Sequence, residues 1–102
     1  MTSMQPIGVF DSGVGGLSVA KKIREMLPHE NIVYIADSRY APYGNKTREF
    51  IEQRSHALVD FLLEQQAKAI VVACNTATLS AIQQLRTNYT VPIIGVEPGI
   101  KP

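Results

Sequence analysis

Four short aliphatic runs, Ile7 to Phe10, Ile32 to Ala36, Ala69 to Ala73 and Ile93 to Val96, are spaced so that each interval has room for a helix. None of them alternates apolar with polar residues, so each reads as a strand buried on both faces. The intervening stretches carry apolar residues at three- and four-residue steps. The resulting order of strand and helix in turn, ending on a fourth strand, is how an α/β domain with a parallel sheet and helices on both faces is encoded.

The spacing predicts a first helix from Gly15 to Leu27, with Val19, Ala20, Ile23, Met26 and Leu27 on its apolar stripe and Pro28 ending it. A second helix starts near Thr47, which can serve as N-cap, and its stripe is Phe50, Ile51, Ala57, Leu58, Phe61 and Leu62. A third opens near Asn75 or Thr76, carries Leu79, Ile82, Leu85 and Tyr89, and ends before Val91 and Pro92. Between the second strand and second helix, the segment from Asp37 to Lys46, DSRYAPYGNK, combines turn formers with two tyrosines and reads as an ordered functional loop.

Bulk properties narrow the function. With 102 residues the chain holds one domain, and its 45% hydrophobic and 19% charged residues are those of an ordinary globular protein. A net charge of +1 gives no field that would select nucleic acid or an anionic membrane surface, so a small local ligand is the expected partner. A single cysteine, Cys74, excludes an internal disulfide, and the two histidines, His29 and His56, lack the spacing of a zinc site. No leader or membrane span is written near Met1, which places the expected location in the cytoplasm.

Ligands of open parallel sheets bind beyond the carboxyl ends of the strands. The residues there are Asp11-Ser12-Gly13, Asp37-Ser38, Cys74-Asn75-Thr76 and Glu97. Cys74 ends a strand just before a helix start, where free N–H groups and the helix dipole lower a thiol's pKa; it is either a reactive thiolate or a small core residue. Asn75 and Thr76 suit a carboxylate ligand and equally suit helix caps. The run from Asp11 to Gly16 sets an acid, a hydroxyl and permissive backbone at a helix mouth, although Ser18 stands where a dinucleotide fingerprint needs its third glycine. Pro42-Tyr43-Gly44 is either a surface turn or a rigid presentation of a phenol and an accessible N–H.

Taken together, FDSGVGGLSV at Phe10 to Val19, YAPYG at Tyr40 to Gly44, CNTA at Cys74 to Ala77 and GVEPGIKP at Gly95 to Pro102 resemble the glutamate racemases of the Asp/Glu racemase family. The resemblance spans essentially the whole chain and the first part of the family's longer sequence. It implies a flavodoxin-like sheet and a two-base racemase that uses no pyridoxal phosphate, metal or nucleotide. It further implies that Cys74 is one of two catalytic thiols and that Asp11 is the acid beside it. Asn75 and Thr76 then hold the amino-acid head group, while Ser12, Pro42, Tyr43 and Gly44 hold the side-chain carboxylate of glutamate. The activity implied is the supply of D-glutamate for peptidoglycan.

The partner cysteine and the second domain of that family lie later in its sequence, so residues 1–102 are expected to be the amino-terminal part of the first domain and inactive alone. An incomplete sheet is also liable to associate, which leaves a homo-oligomer open. The alternatives are an aspartate or hydantoin racemase, which shares the paired-cysteine logic, and a non-catalytic module that binds a small ligand or another chain.

Overall fold

The computed structural model describes residues 5–11, 16–36, 47–73 and 79–96. All four aliphatic runs are strands: β1 (Ile7–Asp11), β2 (Ile32–Ala36), β3 (Ala69–Val72) and β4 (Ile93–Gly95). Between them lie α1 (Gly16–Met26), α2 (Arg48–Glu64) and α3 (Leu79–Asn88). Every pairing is parallel, and the spatial order is β2-β1-β3-β4. The expected parallel sheet with helices on both faces is therefore what forms.

The order explains the placement of the helices. The step from β1 to β2 runs one way across the sheet, whereas the steps from β2 to β3 and from β3 to β4 run the other way. Right-handed crossovers then require the first helix on one face and the next two on the opposite face. Packing agrees: Val19, Ala20 and Ile23 of α1 lie with Ile7, Val9 and Val71. Ile51, Leu58, Val59 and Leu62 of α2 and Leu85 of α3 lie with Phe10, Ile70, Val72 and Ile93 on the other side.

Local chemistry fixes the ends of α2. Thr47 is its N-cap, its Oγ1 accepting from the Phe50 N–H at 3.0 Å, as the sequence indicated. At the other end the Gln66 N–H donates to Leu63 O at 2.8 Å and the Ala67 N–H to Leu62 O at 3.1 Å. This is the paired bonding of a Schellman turn, with Gln66 in the left-handed region at φ 67°. Lys68 then forms an ion pair with Glu30, joining the two turns that lead into β2 and β3.

The apolar stripes are narrower than their spacing suggested. Met26, Leu27 and Phe61 are exposed, as is Ala57, and the inward line of α2 is Ile51, Ser55, Leu58, Val59 and Leu62. A helix resting on a sheet buries one line and its immediate flanks, so residues at the margins of the stripe stay in water. Nor are all strands buried on both faces. β1 is buried throughout, β2 is half-buried, and in β4 Ile93 is buried while Ile94 is exposed. β4 stands at the edge, and only its α3 side is covered among the described residues. On the α1 side an open apolar groove of about 560 Å³ runs between α1 and β3–β4, past Val19, Ile23, Leu27, Val71 and Ile94.

Candidate functional site

In a doubly wound sheet the ligand crevice opens where successive connections leave for opposite faces, beyond the carboxyl ends of the strands. Here that point lies between β1 and β3, which are neighbours and whose following helices pack on different faces. Asp11 is the last residue of β1, which extends one position further than the aliphatic run. The Ala73 N–H donates to Phe10 O at 2.8 Å and the Val96 N–H to Val72 O at 2.9 Å, so pairing continues past the ends of β3 and β4. Asp11 and Ala73, the residue before Cys74, thus reach the same end of the sheet on adjacent strands.

Asp11 is fully buried. A carboxylate removed from water in this way must be met by donors. One donor comes from the other neighbouring strand: the Tyr34 hydroxyl donates to Asp11 Oδ2 at 2.9 Å. The register pairs Val9 with Tyr34 and Asp11 with Ala36, which puts Tyr34 and Asp11 on the α1 face with a two-residue offset. Burial, then the hydrogen bond to Asp11, then the charge of that carboxylate push the Tyr34 phenol up to about 12. The phenol is therefore a neutral donor throughout the physiological range.

Tyr34 was not among the residues singled out from the sequence. Its signal is faint but real: it is the one polar-tipped side chain in the strand IVYIA. Only the register of β1 against β2 connects it to Asp11.

Of the sequence-derived site residues, the structure describes Asp11. Ser12, Pro42, Tyr43, Gly44, Cys74, Asn75 and Thr76 lie outside the described residues. Asp37, Ser38 and Glu97 also lie outside them. Among the described residues, no group of three or more His, Cys, Asp or Glu side chains is placed to hold a metal ion, and no helix is long and apolar enough to cross a membrane.

A second polar cluster lies between α2 and α3. His56 Nδ1 bonds Glu52 O at 2.8 Å and His56 Nε2 bonds Asn88 Nδ2 at 2.9 Å, while the Tyr89 hydroxyl donates to Asp60 Oδ1 at 2.6 Å. These bonds link the two helices to each other. All of their members have partners within the cluster, so it reads as a helix–helix clasp.

Comparison with known proteins places the chain in a family. Residues 7–99 match the family model described as Asp/Glu/Hydantoin racemase. The chain is 64% identical over 97 residues to a glutamate racemase of Methylococcus capsulatus, a match covering 95% of this chain and 36% of that protein. Among solved structures it is similar to a glutamate racemase from Thermus thermophilus in complex with beta-chloro-D-alanine. That match has a TM-score of 0.85 and 47% identity, over 90% of this chain and 36% of that one. It is likewise similar to Escherichia coli glutamate racemase in complex with L-glutamate and the activator UDP-MurNAc-ala. There the TM-score is 0.84 and the identity 43%, over 96% of this chain and 38% of that one. The chain spans little more than a third of the length of these relatives.

Proposed function

The chain belongs to the Asp/Glu/hydantoin racemase family, and from that premise we propose that it is the amino-terminal part of a glutamate racemase, contributing one face of the catalytic site. Residues 1–102 then form part of the first of two domains. The observation that carries this reading is the delivery of Asp11 and the residue before Cys74 to one end of the sheet, at its switch point.

The chemistry asks for such a site. An amino-acid α-proton is very weakly acidic, and the carbanion that develops on its removal must be met by preorganised donors in a place that excludes water. A thiolate poised near neutral pH is a competent base for the task. In the proposed reaction the Cys74 thiolate takes the α-proton from one face of glutamate while a second thiol returns a proton to the other face. Asp11 acts beside Cys74. Asn75 and Thr76 hold the head group, and Ser12, Pro42, Tyr43 and Gly44 hold the side-chain carboxylate. No cofactor takes part. Since Cys74 is the one cysteine of this sequence, the second thiol comes from outside these 102 residues.

The test joins this chain to the carboxyl-terminal part of the Methylococcus capsulatus enzyme and follows glutamate by chiral chromatography in heavy water. The fusion is expected to racemise glutamate, and Cys74→Ser to reduce the rate by about 10²- to 10⁴-fold. The 102-residue chain alone is expected to leave the enantiomer unchanged. An inactive fusion, or Cys74-dependent inversion by the chain alone, contradicts the reading. Aspartate and hydantoins offered to the same fusion separate the related substrates.

A further inference from the structure

We propose that Tyr34 is a positioning residue for Asp11, holding its buried carboxylate in one orientation from the neighbouring strand at the switch point of the sheet; this rests on the assignment of Asp11 to the racemase site. The contact is geometric before it is electrostatic. Val9 and Tyr34 are register partners, so the phenol must reach along the strand direction by one pleat repeat, roughly 6–7 Å, to meet Asp11. A tyrosine side chain spans that offset, and its hydroxyl arrives 2.9 Å from Oδ2. Asp11 has no exposure to water, so solvent cannot supply the donor that Tyr34 provides.

The rest of β2 is aliphatic: Ile32, Val33, Ile35 and Ala36. Packing alone at position 34 would be met by phenylalanine, and what tyrosine adds is the hydroxyl. A phenol held up at about 12 stays protonated across the working range of any thiol base, so the donor is constant while the site titrates. Rigid orientation of a group acting beside the reacting atoms affects the chemical step more than binding.

In the fusion described above, Tyr34→Phe is expected to lower kcat about 10- to 100-fold with the KM for glutamate changed by less than about threefold. In an Asp11→Asn background the same substitution is expected to add little, because the two side chains act as a unit. A thermal melt of each variant is the check that the fold is retained. In the 102-residue chain carrying 13C-labelled tyrosine, the Tyr34 resonance is expected to titrate near 12 and to move toward 10 in Asp11→Asn. An active fusion whose kcat ignores Tyr34→Phe overturns the proposal, as does a Tyr34 resonance that ignores Asp11→Asn. If the unsubstituted fusion is inactive, the racemase reading falls and the positioning role falls with it. The titration then still decides whether the contact itself exists.

Discussion

Leu62 occupies the space that a β-carbon on Gly8 would need: such an atom would stand 2.9 Å from Leu62 Cδ1 and 3.2 Å from Leu62 Cβ. Leu62 is fully buried in the α2 side of the core and has nowhere to retreat. Gly8→Ala is therefore expected to destabilise the chain by about 1–3 kcal/mol through overpacking. At Gly95 the only close approach among the described residues is to the tip of Ile82, 2.7 Å from Cδ1, and that side chain is half-buried and can turn aside. Gly95→Ala should cost less than about 1 kcal/mol. Urea denaturation of the two variants gives the comparison, and a larger loss at Gly95 would contradict this account of the packing.

Ser55 faces the same core from α2, is 1% exposed, and its Oγ has no hydrogen-bond partner among the described residues. Removing an unsatisfied buried hydroxyl relieves a desolvation cost, and alanine is the better helix former. Ser55→Ala is expected to raise stability by about 1 kcal/mol, read as an upward shift in urea midpoint at unchanged slope. A fall in midpoint would mean that the hydroxyl is satisfied in solution.

The turn after α2 holds Gln66 at φ 67°, a conformation that glycine adopts without a steric penalty. Gln66→Gly should stabilise the chain by roughly 0.5–1 kcal/mol, whereas Gln66→Ala should give no gain because its β-carbon meets the same obstacle. Equal effects of the two substitutions in thermal melts would exclude backbone strain as the cause.

Alkaline unfolding should report two tyrosines. Burial first, then a hydrogen bond and charge from Asp11 or Asp60, push Tyr34 and Tyr89 up to about 12. Their unfolded counterparts titrate near 10, so the folded chain holds both protons more tightly. The sign follows: this stabilisation is complete below about pH 10 and is lost as the pH rises from about 10 to about 12. Circular dichroism melts between pH 9 and 12 should show the decline, and the double variant Tyr34→Phe, Tyr89→Phe should show a shallower one.

The succession of elements was legible because aliphatic runs and helical spacing are local properties, and Thr47 marked the start of α2 for the same reason. Three other features were not local. Met26, Leu27, Ala57 and Phe61 lie on stripes of correct period, yet their exposure depends on how much of each helix the sheet can reach. Ser55 sits on the buried line of α2 despite being polar, which no hydropathy pattern announces. The contact between Tyr34 and Asp11 depends on which strands are neighbours and in what register, and nothing in β1 or β2 alone records either. Asp11 was found from its place just after an aliphatic run. The remaining site residues, from Ser12 to Thr76, rest on motif resemblance and on the strand ends that lead into them.

The central position of β1 has a consequence for synthesis of the chain on the ribosome. Its two neighbours are made at very different times: β2 is complete by residue 36, but β3 only by residue 72. Until then the flank of β1 that β3 will occupy is unpaired, and the interval during which it can mispair is set by the time needed to translate α2 and β3. At about 5–20 residues per second, that interval is some seconds long, far longer than the microseconds to milliseconds in which strands find partners. An inner strand of the sheet thus begins as an edge, and anything that slows translation between residues 36 and 72 prolongs the period in which it must be kept from other chains.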